Sequence, residues 1–147
     1  MIKPFEYYEK DGQVEKTIAN IGLVKSLLEK AEIRLNRILK EEINDIKASL
    51  IFEDAYETIR EASQALMQFD KYKPLSHEAL ISFLMKSRYL SQEKISILNN
   101  YRILRNKSVY QAEKISLDKC KESIKFAKEV LPEIKRKFEE LKSLIQH

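Results

Sequence analysis

Glycine and proline are scarce, with two of the first and three of the second in 147 residues. Sheet proteins rely on tight turns built from these residues, so the scarcity argues against a strand-rich fold. A single cysteine, Cys120, excludes an internal disulfide framework and leaves no partner for a thiolate metal site. No uninterrupted apolar run approaches the roughly eighteen residues that a membrane helix needs. The first residues lack the apolar stretch and small-residue cleavage site of a secretory signal, so a cytoplasmic chain is expected. The two histidines are far apart and the carboxylates are scattered, so no metal site and no cofactor are expected.

What the chain does have is charge and apolar residues in helical register. Apolar residues make up 44% and charged residues 34%, a balance that favours a packed core over disorder. The length fits one domain, residues 1–147, with 1–12 as an N-terminal arm. The net charge of +4 is uneven. Residues 101–147 hold 12 Lys or Arg against 7 Asp or Glu, whereas residues 1–100 are nearly balanced. A basic last third can attract phosphate, although Lys alternating with Glu also suits a solvated helix face.

Spacing predicts an all-α architecture. From Leu117 through Cys120, Ile124, Ala127, Leu131, Ile134, Phe138 and Leu141 to Ile145, apolar residues recur at steps of three and four. Ser116 fits as the cap of that helix, and Pro132 inside it is expected to bend or loosen one turn. The same rule predicts a long helix through Val14, Ile18, Ile21, Val24, Leu28, Ala31, Leu35 and Ile38. A second runs through Ile43, Ile46 and Leu50 to Ala55, Ile59, Ala62, Leu66 and Phe69, with a turn near Asn44. Ser76 caps a short helix through Ala79, Leu80, Phe83 and Leu84. Ser91 caps another, through Ile95, Leu98, Tyr101 and Leu104 to about Tyr110. Long amphipathic helices with short links predict an antiparallel up-and-down four-helix bundle with an extra short helix.

The segment Tyr101-Arg102-Ile103-Leu104-Arg105-Asn106-Lys107-Ser108-Val109-Tyr110 resembles the signature of HEPN domains. Residues 73–80 resemble the loop and short helix of archaeal and bacterial members, and residues 54–66 resemble their second helix. The likeness spans roughly residues 15–145, with its sharp part in those ten residues. It implies a helical dimer in which two copies of the motif meet in one groove. Active members cut RNA without metal, using an Arg, the polar residue after it and a His further along the helix. Carried over, the Arg is Arg105 and the polar residue is Asn106. Tyr110 stands where the His is expected, and residues 107–112 contain none. The resemblance also implies a small nucleotidyltransferase as partner, in a toxin–antitoxin-like pair.

The chemistry gives that departure its weight. Transfer from a ribose 2′-hydroxyl needs a base, and a histidine with a pKa of about 6.5 supplies both protonation states near neutrality. A tyrosine near pH 10 does not, though it can donate a hydrogen bond. Arg105 can grip a phosphate bidentately, with Arg102 three residues back on the same side and Lys107 beside it. Each residue also has a plainer role. Arg105 fits a surface ion pair, Asn106 a helix end, and Tyr110 a packed ring whose hydroxyl meets backbone. His77, directly after the Ser76 cap, is either structural or a replacement base, and His147 is expected to be mobile. Three functions follow. The leading one is a dimer that binds RNA or a partner protein with little or no nuclease activity. The others are an active metal-independent endoribonuclease and a purely structural dimerisation module. The apolar content of the Arg105 helix, at Ile95, Leu98 and Tyr101, favours a dimer contact there.

Overall fold

The computed structural model describes residues 1–145, so the expectation for His147 lies outside it. Six helices and one small two-stranded sheet make up the described chain, confirming an all-α class. In order they are α1 (Phe5–Lys10), β1 (Val14–Lys16), α2 (Ile21–Ile38), α3 (Ala48–Phe69), β2 (Tyr72–Pro74), α4 (His77–Ser87), α5 (Gln92–Gln111) and α6 (Leu117–Ile145).

α3 is the hub, packed against α2 and α6 along its length and against α4 and α5 besides. Its sequence explains why. Ala48, Ile51, Phe52, Ala55, Tyr56, Ile59, Ala62, Ala65, Leu66 and Met67 are all buried, so its apolar surface wraps much of the helix. The neighbours present narrower stripes, Val24, Leu28, Ala31, Leu35 and Ile38 on α2 and Cys120 through Phe138 on α6. Those two stripes match the predicted periods, and α6 runs on past Pro132. The serine caps also stand. Ser76, Ser91 and Ser116 accept from the backbone N–H of Ala79, Lys94 and Lys119.

The N-terminal third departs from the expected pattern. Val14 does not begin a helix. Residues 14–16 form β1, antiparallel to β2 with Val14 opposite Pro74 and Lys16 opposite Tyr72. The helix starts only after Asn20, whose side chain accepts from Leu23 N at 2.9 Å. Ile18, expected in the helical stripe, is 80% exposed. The 1–12 arm is itself ordered. α1 buries Phe5 and Tyr8, and the Phe5 ring sets its edge against Tyr72 and Phe83.

The start of the second long helix also moves. The turn near Asn44 is present, and Asn44 Oδ1 accepts from Lys47 N at 2.9 Å. Ile43 and Ile46 fall in that turn rather than in a core stripe, and Ile46 is 90% exposed. Leu50 lies on α3 but faces outward, because the register begins from Ala48, Ile51 and Phe52. Ile145 at the far end of α6 is exposed as well. No described helix is long and apolar enough to cross a membrane.

Candidate functional site

α5 carries Arg102, Arg105, Asn106, Lys107 and Tyr110, and its inner face fixes how they are presented. Ile95, Leu98 and Tyr101 are buried in the chain's own core, so they do not offer the dimer contact expected of them. Further along, Ser108 Oγ donates to Glu53 Oε2 on α3 at 2.9 Å and holds the last turns down. The exposed apolar residues of α5 are instead Ile103, Val109 and Tyr110.

Arg105 is partly exposed and has no carboxylate partner among the described residues. Its Nη1 donates to Asn106 Oδ1 at 3.2 Å, and its guanidinium carbon lies 5.9 Å from the Tyr110 ring centre. Asn106 therefore neither ends nor caps the helix, which runs to Gln111 with Ala112 as its left-handed cap. Tyr110 is 75% exposed, so it is not the packed ring that its plainer role required. Lys107 points into solvent. Arg102 is more committed. Its side chain is 12% exposed, with Nε donating to Asn99 Oδ1 at 2.9 Å and Nη1 at 3.6 Å from Glu78.

The histidine nearest this face is not on α5. His77 opens α4, where its Nδ1 lies 2.8 Å from the Tyr56 hydroxyl and its ring stacks on the Tyr56 ring. Burial pushes the Tyr56 phenol up to about 12, despite the opposing charges of Arg60, Arg102 and Arg105. Its proton therefore stays on, and the buried hydroxyl has no other acceptor among the described residues. Hydrogen-bond accounting makes Tyr56 the donor and Nδ1 the acceptor, which leaves the imidazole proton on Nε2.

His77 is held neutral. Burial pulls its pKa down to about 4, helped by the charges of Arg60, Arg105 and Arg102 and opposed by Glu57. Arg60 is anchored between Glu57, which accepts from Nε at 2.8 Å, and Gln64, which accepts from Nη1 at 2.9 Å. Burial pushes Glu57 up, but its bond to Arg60 outweighs this and keeps it below the usual carboxylate range. Beside them lies a cleft of about 190 Å³ lined by Arg60, Pro74, Leu75, Ser76, His77 and Leu80.

A pH dependence follows. Unfolded, the ring takes a proton near its ordinary 6.5, whereas folded it resists one until about 4. The contribution of His77 to stability is thus complete above about pH 6.5 and is lost as pH falls through that window. Glu57 adds its own loss only below its ordinary 4.5. Thermal midpoints measured from pH 7 to 4 are expected to fall less steeply in His77→Gln than in the parent. Equal slopes would remove His77 as the cause.

Compared with protein-family models, curated proteins and solved structures, the chain has no match. Two other features bound what the site can do. Among the described residues, no group of three His, Cys, Asp or Glu gathers as metal ligands would. A wider groove of about 700 Å³ between α2 and α6 is lined by four Lys or Arg side chains and four Glu side chains, so it favours neither sign of charge.

The sequence picked out Arg102, Arg105 and His77 and missed Tyr56 and Arg60. Those two sit one turn apart on α3, where Tyr56 reads as one more core residue. Its hydroxyl acquires a role only through a histidine 21 positions away on another helix.

Proposed function

We propose that the chain is a HEPN-type dimer that binds RNA through phosphate contacts and cuts it weakly or not at all. In this reading α2, α3, α5 and α6 form the four-helix up-and-down core, with α1 and α4 as additions. Arg105 and Lys107 make the leading phosphate contacts, Arg102 adds its charge from behind, and Asn106 orients the Arg105 guanidinium. Tyr110 offers an exposed ring on which a base can stack. A small nucleotidyltransferase, in a toxin–antitoxin-like pair, is the proposed protein partner. Ile103 and Val109 provide the apolar part of a contact between two α5 helices.

The observation that carries this reading is a guanidinium without a carboxylate partner among the described residues, in a chain whose one described histidine has its basic nitrogen occupied. A general base must present a free lone pair to the proton it takes. At neutral pH Nδ1 of His77 already accepts from Tyr56, and Nε2 carries a hydrogen. Phosphate binding is thereby supported while proton abstraction is not.

The test uses purified protein, several single-stranded RNAs and no metal. Binding that weakens with salt is expected, with the RNA recovered intact. Robust cleavage abolished by Arg105→Ala would overturn the binding-only part in favour of an active endoribonuclease. Absence of any salt-dependent binding would leave only a structural dimerisation module. Light scattering at micromolar concentration is expected to give a dimer, and a monomer would remove the shared groove.

A further inference from the structure

We propose that the cleft between the N-terminal residues, α4 and α5 seats one unpaired nucleobase of a single-stranded RNA whose backbone continues along α5 past Arg102 to Arg105. The inference rests on the RNA-binding reading. It adds a base-holding site beside the phosphate contacts and names the part of the RNA that enters it.

The cleft has a volume of about 460 Å³, within the range of roughly 300–1,000 Å³ usual for small-ligand sites. Ile81 of α4 and Ile95 of α5 are buried and form its floor, while Met1, Ile2 and Met85 add apolar walls. The wall from the N-terminal residues is tied down. Ser82 Oγ on α4 donates to the Lys3 carbonyl at 2.8 Å, and Lys3 N donates to the Tyr8 hydroxyl at 3.0 Å. Phe5 beyond them is buried against Tyr72 and Phe83. The opening is thus built into the fold, and the thioether of Met85 is a soft, polarisable surface that suits an aromatic ring.

One edge of the cleft is polar. Gln92, Ser96 and Asn99 line it from α5, at steps of four and three that put them on one side of the helix. Asn99 Oδ1 accepts from Arg102 Nε at 2.9 Å, which leaves its amide hydrogens to give. The Gln92 amide and the Ser96 hydroxyl bond no other described residue. An amide sets a donor beside an acceptor, the pattern that base edges match. An aliphatic chain would suit the floor but not this edge.

The charge beside the cleft selects a base that is carried on phosphates. α5 holds four Lys or Arg against one Glu. Two of these cations are directed by amides on one line of the helix. Arg102 is bonded to Asn99, which lines the cleft, and Arg105 is bonded to Asn106, seven residues further on. Seven residues are nearly two turns, so the two amides share a side and lie roughly 11 Å apart. A strand that leaves the cleft meets Arg102 at its rim, then Arg105, which has no carboxylate partner among the described residues. Tyr110, one turn past Asn106, offers its exposed ring to a later base of the same strand.

The probes are a short single-stranded oligoribonucleotide and a fully abasic strand of the same length, which keeps every phosphate and lacks every base. The full chain is expected to bind the first at least about tenfold more tightly than the second at equal salt. Ser96 is an exposed position on the polar edge, and Ser96→Trp is expected to fill the cleft. In that variant the ratio is expected to shrink to the share left by Tyr110, with the salt dependence of the parent retained. An equal ratio in the parent and in Ser96→Trp overturns the cleft as a base site.

A second readout needs no substitution. The methyl signals of the three methionines are followed by NMR during both titrations. Met85 is expected to move with the oligoribonucleotide and to stay with the abasic strand, whereas Met67, fully buried on α3, stays in both. A Met85 signal that moves equally with the two strands overturns the proposal. So does one that moves with protein concentration alone, which would assign the cleft to a second copy of the chain. Salt-dependent binding of both strands with equal affinity and an unmoved Met85 removes the cleft and leaves the RNA reading intact. Absence of salt-dependent binding by either strand removes the RNA reading, and the base site with it.

Discussion

Arg105→Ala is expected to weaken binding of single-stranded RNA by roughly 10- to 100-fold at low salt. That range corresponds to the loss of one charge-assisted contact of about 1.5–3 kcal/mol. The fold should barely notice. Arg105 bonds only its neighbour Asn106 and lies near the exposed Tyr110 ring, so no buried carboxylate is stranded when it goes. The thermal midpoint is expected to stay within a degree or two of the parent. Arg102→Ala makes an informative contrast. Its guanidinium is tied to Asn99 and Glu78, so replacing it is expected to cost less binding and more stability. RNA affinity unchanged in Arg105→Ala, measured by fluorescence anisotropy, would remove Arg105 from the contact.

Phe52→Ala is expected to produce the largest loss of stability, about 3–5 kcal/mol. Phe52 is fully buried on α3 and sets its ring against the edge of Tyr101 on α5 at 5.4 Å. Tyr101 in turn meets Phe126 on α6 at 5.4 Å, so one aromatic chain ties three helices together. Truncating its first ring opens a cavity that the surrounding helices close only in part. For a chain of this size the thermal midpoint should drop by roughly 6–20 °C. Tyr101 lies one turn before Arg105, so RNA binding is expected to weaken too as α5 shifts. A loss below about 1 kcal/mol in urea unfolding would show that the three helices do not depend on this contact.

The all-helical class could be read from spacing because burial in a helix repeats with its turn. On α6 the stripe from Cys120 to Phe138 leaves no other interpretation, and on α2 the stripe from Val24 to Ile38 is as regular. The same rule failed at Val14 and Ile18. Their spacing suits a helix, but Val14 found a partner strand about sixty residues away, opposite Pro74. Helical periodicity reports which residues share a face, and it cannot report a distant strand that captures the backbone first. At Ile43 and Ile46 the pattern ran through a turn that Asn44 closes with its own side chain.

The candidate site was half legible for a related reason. Arg102, Arg105, Asn106, Lys107 and Tyr110 are neighbours in the chain, so their common helix could be read directly. What surrounds them could not. Tyr110 looked suited to packing, yet the helix turns it outward. Tyr56 gave no sign, since it lay outside the stripe read from spacing, although its hydroxyl decides which nitrogen of His77 is free. Contacts between helices set the protonation of that ring, and no local pattern encodes them.

The most direct test of the central claim is the affinity of the wild-type chain for single-stranded RNA across a salt series, with Arg105→Ala and Lys107→Ala alongside. The logarithm of affinity is expected to fall linearly with the logarithm of salt, and each substitution is expected to reduce the slope by roughly 0.7, the share of one phosphate contact. An affinity that ignores salt, or a slope that both variants keep in full, would contradict a phosphate-binding face on this helix.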